Sequence, residues 1–349
     1  MDKLNVAVLF GGCSSEYSVS LESAHAVIEH IDQSKFNPVM IGISSKGSWF
    51  HYTGPIQNIV SDTWENPEDC TPAVVSPDRD AHELLVLRKD GVTHIHLDAA
   101  FPVLHGKNGE DGTVQGVFAL AGISLVGCGV LSSSLCMDKD RAHKLAHVAG
   151  VSVPNSFLLT REIGAADALA GAKQIGYPLF VKPVKAGSSY GITKVTKRDE
   201  LPAAIKSAFE YDDQVIVEEA ISGFEVGCAV LGNDTLTVGE LDEIELSSDF
   251  FSFAEKYTLK TSAIHVPARI PRAKTKEIKR TAKVIYRALG CQGFARVDLF
   301  LDGDGRIIFN EVNTIPGFTA HSRYPSMMKA VGMSFGQVIT AVIALAVAQ

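Results

Sequence analysis

The sequence predicts an α/β domain followed by α+β domains, and three observations support this fold class. An apolar run at residues 5–10 breaks at Gly11-Gly12, and apolar side chains at helical spacing follow between Ser18 and Ile31. A further apolar run at residues 38–44 completes a β–α–β unit. After Pro154 the pattern changes to pairs of strands around glycine-rich turns, which is typical of α+β domains.

Later elements can be placed from the same patterns. The α/β style is expected to continue to about Leu135, and apolar side chains at helical spacing predict a helix at residues 273–289. The terminal apolar run at residues 338–348 is far shorter than the ~20 residues of a membrane span, so it predicts a buried helix. Strands of the second half are predicted at residues 178–183, 192–196, 215–219 and 227–231.

Composition excludes several classes of function. The 349 residues carry a formal net charge of −8, so no basic field indicates nucleic-acid binding. The six cysteines are scattered without a C-x-x-C pair, which predicts reduced side chains in a cytoplasmic protein. The charged residues 1–5 lead directly into a strand, so we expect no signal peptide.

The segment at residues 295–313 predicts a β-hairpin with chemistry on one face. Two alternating strands flank Asp304-Gly305, and such a dipeptide favours a two-residue turn. Because side chains alternate along strands, this turn fixes which residues face each other. The predicted pairs on one face are Asp298 with Glu311, Arg296 with Asn313, and Phe300 with Phe309.

Two carboxylates about 5 Å apart on facing strands repel each other and require compensation. A shared proton, the guanidinium of Arg296, or a hard cation could each provide it. The oxygen ligands Asp298, Glu311 and Asn313 suit Mg²⁺ and exclude a soft-metal site. The alternative is a surface hairpin with solvated acids, which the predicted Phe300–Phe309 pair on the same face disfavours.

A glycine-rich loop follows a strand that ends in a lysine. Lys182 is followed by the small residues Gly187, Ser188, Ser189 and Gly191, and such loops bind phosphates through backbone N–H groups. This pattern alone is weak, because any tight hairpin can be rich in Gly and Ser. No G-x-x-x-x-G-K-[ST] or G-x-G-x-x-G motif is present, which excludes a P-loop and disfavours a dinucleotide site. The loop and the acidic hairpin together indicate ATP bound with Mg²⁺.

With these two motifs the chain resembles the ATP-grasp superfamily and, within it, the D-alanine–D-alanine ligase family. The resemblance extends over essentially the whole chain and implies an ATP-grasp fold with an α/β N-terminal domain. It implies domains at residues 1–135, 136–221 and 222–349, the last with a metal site and a lid at residues 245–262. The matching segments are F-G-G-C-S-S-E-Y-S-V-S-L (10–21), H-G-K-N-G-E-D-G-T-V-Q-G (105–116), M-D-K (137–139), K-P-V-K-A-G-S-S-Y-G (182–191), E-K-Y (255–257) and N-E-V-N-T-I-P-G-F-T-A-H-S (310–322).

The resemblance implies a role for each matching residue. The family's aromatic residue at the position of Ala220 is missing, which puts contacts to the adenine base in doubt. The metal ligands are Asp298, Glu311 and Asn313, for one or two Mg²⁺ or Mn²⁺ ions. The ATP-binding residues are Lys139, Lys182, Ser189, Glu218, Ile221 and Glu225. The catalytic residues are Glu16, Ser188, Tyr257, Arg296, Gly317 and Lys256. The substrate-binding residues are His105, Ser322, Arg323 and Phe251.

The implied reaction has two steps. The carboxylate of D-alanine takes the γ-phosphoryl group of ATP, and the amine of a second substrate then attacks the acyl phosphate. In this mechanism Glu16, with Ser188 and Tyr257, holds the first ammonium group, and Arg296 with the Gly317 N–H stabilises the oxyanion. The resemblance also implies a homodimer formed mainly by the N-terminal domain, and a role in peptidoglycan precursor synthesis. A nonenzymatic ATP-binding regulator and other ATP-grasp enzymes are less consistent with the motifs present.

Arg323 departs from the pattern of members that add D-alanine, which have an apolar residue there. A guanidinium beside a methyl group would lack a partner, whereas the hydroxyl of D-serine could accept its hydrogen bond. Glu255-Lys256-Tyr257 is retained, whereas the D-lactate branch has a histidine-bearing segment there. We therefore expect a D-alanine–D-serine ligase of vancomycin resistance. The alternatives are a housekeeping D-alanine–D-alanine ligase and an Arg323 side chain that only extends to solvent.

Overall fold

A computed structural model describes residues 3–188, 190–246 and 262–348 of the chain. In this part of the chain the strands form three sheets that follow one another in sequence: eight-stranded, four-stranded and five-stranded. The strands are β1 (Leu4–Gly11), β2 (Phe36–Ile43), β3 (Trp49–Tyr52), β4 (Cys70–Val75), β5 (Glu83–Arg88), β6 (Gly91–His96), β7 (Ala99–Pro102), β8 (Ser124–Leu125), β9 (Ser156–Thr160), β10 (Leu179–Pro183), β11 (Thr193–Val195), β12 (Gln214–Glu219), β13 (Gly223–Leu231), β14 (Thr237–Leu246), β15 (Ser262–His265), β16 (Phe294–Asp302) and β17 (Ile307–Asn313).

The helices cover the sheets and connect them. They are α1 (Tyr17–His30), α2 (Gln57–Val60), α3 (Thr113–Leu120), α4 (Val130–Met137), α5 (Lys139–Val148), α6 (Ala165–Ile175), α7 (Leu201–Ala208), α8 (Arg272–Ala288), α9 (Arg323–Lys329) and α10 (Phe335–Val347), with one 3₁₀ turn at Arg198–Glu200. The predicted amphipathic helix corresponds to α8, whose buried side chains include Ile278, Ala282 and Ile285.

The first sheet is only partly of the predicted α/β type. Strand β1 runs parallel to β2 and β7, and β7 runs parallel to β8, as a β–α–β unit requires. Strands β2 to β6 instead form an antiparallel meander. The expectation that the β–α–β arrangement continues as far as Leu135 was therefore wrong. The connections β2–β3 and β5–β6 are short, and a short turn can join only antiparallel neighbours, while residues 53–69 with α2 connect β3 to β4.

The other two sheets are antiparallel, and the strands predicted in them are confirmed. The four-stranded sheet has the order β11-β10-β12-β9, and the five-stranded sheet has the order β15-β14-β13-β16-β17. Helix α8 packs on one face of the larger sheet, against the buried side chains of Val297, Leu299 and Phe309. The opposite face of β16 and β17 carries polar side chains.

The C-terminal helix α10 is buried, as its composition predicts. Its side chains Val338 and Val342 share one apolar core with Val27 of α1 and with Phe318. The end of the chain thus packs on its first helix and ties the N-terminal sheet to the loop that follows β17. Within the described residues, no helix has both the length and the apolar character needed to cross a bilayer.

The hairpin of β16 and β17 confirms the predicted pairs at the site and corrects those near the turn. Asp298 pairs with Glu311 and Arg296 pairs with Asn313, but Phe300 pairs with Ile308. The turn is longer than predicted, because Asp302 pairs with Arg306 through an N–H···O bond of 3.1 Å. Gly305 occupies the left-handed position of this turn, at φ 79°.

A β-bulge at Asn310 restores the register before the site. Leu299 pairs with Phe309 while Asp298 pairs with Glu311, so Asn310 is the extra residue. The bulge places Phe309 in the core under α8, not beside Phe300. The expected phenylalanine pair was therefore wrong, and the facing carboxylates depend on a bulge that no turn signal reveals.

Candidate functional site

The predicted site residues converge on a cavity of about 340 Å³ between helix α1, the loop after β7, helix α5 and the loop after β17. The cavity also receives side chains from the turn after β1 and from the glycine-rich loop after β10. Predicted residues that line it are Glu16, His105, Lys139, Ser188, Arg296, Glu311, Asn313, Gly317, Ser322 and Arg323.

Glu16 forms the acidic end of the cavity. It lies just before α1, is 8% exposed, and accepts a short hydrogen bond from the hydroxyl of Ser188. Two glycines allow this approach, because an added Cβ would lie 2.4 Å from Glu16 Oε2 at Gly106 and 2.7 Å from it at Gly187. Gly187 of the glycine-rich loop and Gly106 of the loop after β7 therefore make room for the Glu16 carboxylate. A buried carboxylate of this kind suits an ammonium ligand.

The polar face of β16 and β17 carries the expected oxygen donors. Asp298 is 1% exposed and accepts hydrogen bonds from Arg296 Nε at 2.8 Å and from Asn313 Nδ2 at 2.9 Å. Glu311 lies across from it, with Oε2 3.7 Å from Lys139 Nζ. Arg296 thus compensates one of the two facing carboxylates directly.

The donor set fits a magnesium ion that takes further oxygen ligands from a nucleotide. Two carboxylates and one amide oxygen share one sheet face, and Mg²⁺ commonly binds one or two carboxylates together with substrate phosphates. Among the described residues no three His, Cys, Asp or Glu side chains form a cluster that could hold a metal without such help. Asp298, Glu311 and Asn313 would therefore hold the ion only together with a phosphate ligand.

Two lysines approach the site from α5 and β10. Lys139 Nζ donates to the carbonyl of Ala186 in the glycine-rich loop at 2.8 Å. Lys182 Nζ lies 2.6 Å from Glu218 Oε2 on the neighbouring strand β12. Burial would raise the pKa of Glu218, but the charges of Lys182 and His143 hold it below the ordinary value. Lys182 and Glu218 are both buried, so the charge of Lys182 offsets the burial of the Glu218 carboxylate.

Glu218 has one oxygen without a hydrogen bond. Among the described residues its buried Oε1 has no hydrogen bond, and neither does Nδ1 of His143, which lies 3.6 Å away at ion-pair distance. Nε2 of His143 bonds to the carbonyl of Asn310, the bulge residue, at 2.7 Å. A buried acceptor without a hydrogen bond, at Glu218 near the end of β12, fits the amino group of an adenine ring.

Arg323 is not the unpaired side chain that the sequence suggests. Its Nε and Nη2 donate to the two oxygens of Asp242, at 2.6 Å and 2.8 Å, and its Nη1 donates to Glu225 at 2.9 Å. Nη2 also lies 3.5 Å from Asp298 Oδ1. Burial opposes the charge of Arg323, but Asp242, Asp298 and Glu225 together raise its pKa well above the ordinary value. The guanidinium is therefore fixed at the cavity wall, and Glu225 bonds to it.

The remaining predicted residues divide into two groups. Ile221 lies in the short connection between β12 and β13, and Ser322 Oγ accepts from the Thr319 N–H at 3.0 Å beside the cavity. Ser189, Phe251, Lys256 and Tyr257, and with them most of the expected lid, lie outside the described residues.

The structure adds residues that sequence reasoning did not assign. Ser23 and Glu110 line the cavity, and Asp242 holds Arg323. Glu110 lies within the H-G-K-N-G-E-D-G segment, so the sequence marked its position, but the motif assigned no role to it. Asp242 and His143 lie in no motif, and only their three-dimensional contacts identify them.

Comparisons with known proteins identify the family of this chain. The model of the D-ala D-ala ligase N-terminus matches residues 5–128, and that of the C-terminus matches residues 145–344. The vancomycin B-type resistance protein VanB of Enterococcus faecalis is 46% identical, with 99% of each chain covered. A D-alanine–D-alanine ligase of Caldicellulosiruptor bescii is 44% identical, covering 99% of this chain and 96% of that protein.

A solved structure extends the likeness to the fold. The VanG D-Ala:D-Ser ligase from Enterococcus faecalis superimposes with a TM-score of 0.90 at 56% identity, with 99% of each chain covered. The three-sheet arrangement is therefore that of an ATP-grasp ligase. Together the matched residues and the identities show that this chain is an enzyme of the D-alanine–D-alanine ligase family.

Proposed function

We propose that this enzyme joins D-alanine to D-serine, at the expense of ATP, to make a peptidoglycan precursor that confers vancomycin resistance. The observation that carries the choice of D-serine is Arg323, fixed at the cavity wall by Asp242. A guanidinium has five N–H groups, and hydrogen bonds to Asp242 and Glu225 engage three of them. A preoriented donor favours a substrate with a hydroxyl over one with a methyl group.

The first step forms an acyl phosphate. Glu16, supported by Ser188, binds the ammonium group of D-alanine and directs its carboxylate toward the γ-phosphorus of ATP. A carboxylate oxygen bonds to that phosphorus, the bond to the β,γ-bridging oxygen breaks, and ADP leaves. Lys139 and Lys182 balance phosphate charge, Glu218 and Ile221 receive the adenine, and Ser189 contacts a phosphate. Glu225, which bonds to Arg323, lies where the ribose would be bound.

The second step forms the peptide bond. The neutral amine of D-serine attacks the acyl carbon, the carbon–oxygen bond to phosphate breaks, and the departing phosphate takes the proton that the amine loses. Arg296 and the Gly317 N–H stabilise the oxyanion, while Ser322 and Arg323 bind the second substrate. His105 and Phe251 complete the substrate pocket, and Lys256 and Tyr257 belong to the lid that excludes water.

Asp298, Glu311 and Asn313 would hold one or two Mg²⁺ or Mn²⁺ ions, which supply charge neutralisation at the phosphates. The other side chains act by position: they orient two anionic reactants that would otherwise repel each other.

We also propose a cytoplasmic homodimer formed through the N-terminal domain. The adjacent helices α3 and α4 expose large apolar side chains there, with Leu120 at 70% and Leu131 at 73% exposure. Apolar exposure of this extent is typical of an interface. Sedimentation velocity at micromolar concentration tests this part, and a monomer would contradict it.

A competition assay tests the reaction. Enzyme, ATP and Mg²⁺ are incubated with D-alanine and equal concentrations of D-serine and D-lactate, and the products are resolved by mass. We expect D-alanyl-D-serine as the main product. Only D-alanyl-D-alanine would indicate a housekeeping ligase, and D-alanyl-D-lactate would indicate the depsipeptide branch of the family.

A further inference from the structure

The loop that follows β17 contributes Gly317, the expected oxyanion donor, and three side chains of the N-terminal domain hold it. Both backbone polar groups of Ile315 are bound by such side chains. The Ile315 N–H donates to Glu110 Oε1 at 3.0 Å, and the Ile315 carbonyl lies 2.9 Å from His105 Nδ1. On the other side of Gly317, the Phe318 N–H donates to Ser23 Oγ at 3.2 Å.

These contacts form one continuous hydrogen-bond chain. His105 Nδ1 must donate, because its partner is a carbonyl, so Nε2 of the neutral ring is an acceptor. The Ser23 hydroxyl lies 3.2 Å from Nε2 and can donate to it while accepting from Phe318. Burial lowers the pKa of His105, which is consistent with a neutral ring. The Phe318 N–H, the Ser23 hydroxyl, both ring nitrogens of His105 and the Ile315 carbonyl are thereby all hydrogen-bonded.

Glu110 connects this loop to the acidic end of the cavity. Its second oxygen, Oε2, accepts from the Gly106 N–H at 2.9 Å, and Gly106 is one of the two glycines that pack against Glu16. The Glu110 carboxyl group thus contacts both the backbone at Gly106, beside Glu16, and the backbone at Ile315, beside Gly317.

We propose that Ser23, His105 and Glu110 are positioning residues that fix the Gly317 N–H for the second step. They form a clamp on residues 315–318, defined by the three contacts to Ile315 and Phe318 and the contact between Ser23 and His105. The inference rests on the proposed function and deepens it. His105 accordingly acts through the loop backbone, in addition to lining the substrate pocket.

The clamp predicts which step suffers when it is loosened. The Gly317 N–H stabilises charge that develops at the acyl carbonyl during amine attack, and it is not needed for transfer of the phosphoryl group. A displaced loop should therefore slow peptide-bond formation more than acyl-phosphate formation. The accumulated acyl phosphate would then be lost to water, which attacks it and releases D-alanine and phosphate.

Ser23→Ala and Glu110→Gln break the clamp on opposite sides of Gly317. Alanine leaves the Phe318 N–H without its acceptor, and glutamine offers one acceptor oxygen to two N–H donors. Ser20→Ala is the matched control, because Ser20 is equally buried in α1 but its hydroxyl, among the described residues, bonds to Gly11 N and Val103 O and not to the loop after β17. Thermal unfolding of each variant measures general destabilisation separately.

The decisive measurement is the ratio of phosphate released to dipeptide formed. We expect it to rise about three- to tenfold in Ser23→Ala and Glu110→Gln, and to stay at the wild-type value in Ser20→Ala. Scrambling of ¹⁸O between the bridging and non-bridging positions of ATP, with D-alanine as the only amino acid, reports the first step. This scrambling should remain near wild type in all three variants.

The two possible failures are distinguishable. Wild-type stoichiometry in both clamp variants, or equal losses of scrambling and dipeptide formation, would overturn the clamp. Wild-type enzyme that consumes no ATP with D-alanine and forms no dipeptide would overturn the proposed function itself. If one clamp variant does not fold, the other still decides the question, because each disrupts a different hydrogen bond.

Discussion

Arg323 and Asp242 form a bidentate ion pair between α9 and β14, with N–O distances of 2.6 Å and 2.8 Å. The Asp242 side chain is fully buried, and the Arg323 side chain is 11% exposed. Burial would raise the pKa of Asp242, but the charge of Arg323 lowers it below the ordinary value. The residue that is expected to select the second substrate is therefore also a partner in a buried charge pair.

This pair changes what Arg323→Leu should do. Loss of the guanidinium that donates to the substrate hydroxyl should shift product preference from D-serine toward D-alanine. We expect the ratio of the two catalytic efficiencies to change by about ten- to a hundredfold. The substitution also leaves the buried Asp242 carboxylate without its cationic partner, with only the Gly227 N–H as a hydrogen-bond donor among the described residues, and breaking such a buried ion pair typically costs about 3–5 kcal/mol of folding stability. The double variant Arg323→Leu/Asp242→Asn removes that orphan charge and is the cleaner test. Mass-resolved competition assays and thermal unfolding measure the two effects, and an unaltered product ratio in the folded double variant would make Arg323 purely structural.

Glu16→Gln should impair the first-substrate site far more than ATP binding. The neutral amide can still meet Ser188, but it loses the charge that attracts the ammonium group of D-alanine. A charge-assisted hydrogen bond is worth about 1.5–3 kcal/mol, so kcat/KM for the first D-alanine should fall at least about tenfold. Initial rates at varied D-alanine measure this, and nucleotide affinity by calorimetry is the control. Unchanged D-alanine kinetics in a folded variant would remove Glu16 from the site.

His143→Phe should weaken metal-dependent nucleotide binding. Phenylalanine keeps the edge-on packing on Phe309, where the ring centroids are 5.4 Å apart, but it loses the bond to the Asn310 carbonyl. That bond supports the bulge that places Glu311 opposite Asp298, so we expect the half-saturating Mg²⁺ concentration to rise about three- to tenfold.

His143→Gln is the rescue control, because its amide can donate to the same carbonyl. Titration of Mn²⁺ into enzyme with ADP, followed by electron paramagnetic resonance, measures the metal site without turnover. Equal Mn²⁺ affinity in both variants and the wild type would show that the bulge does not depend on His143.

Glu110 should make stability depend on pH in a defined direction. Burial and the neighbouring Glu16 raise its pKa from 4.5 to about 8. A carboxyl group whose pKa is raised on folding contributes stability that is complete below pH 4.5 and is lost progressively as the pH rises to about 8. The loss from this group is about 1.4 kcal/mol per pH unit within that window.

Glu110→Gln should remove this slope. Urea unfolding between pH 5 and 8, in steps of about one unit, compares the variant with the wild type across the window in which the native state retains the proton. If the variant keeps the wild-type dependence of the unfolding free energy on pH, this dependence belongs to another titratable group.

The sequence by itself determined the elements and much of the chemistry of this enzyme. Apolar periodicity placed α8, α10 and the paired strands of the second half, because side-chain burial follows the helix and strand repeats directly. The alternation along residues 295–313 placed Asp298 opposite Glu311, since neighbouring side chains on a strand point to opposite faces. The long motifs identified the family, which the comparisons confirm.

Only the tertiary structure decided which charges meet. The turn at Asp302–Arg306 shifts the strand pairing by one residue, and the bulge at Asn310 shifts it back. The predicted pair of Asp298 with Glu311 is therefore found although the predicted turn was wrong. The pairing of Arg323 with Asp242, and the clamp on Ile315, join residues far apart along the chain. Such contacts leave no local periodicity, because they arise from how whole sheets and helices pack against each other. The sequence therefore specifies which groups are available, and the packing of the three sheets decides which of them compensate each other and which remain to bind substrate.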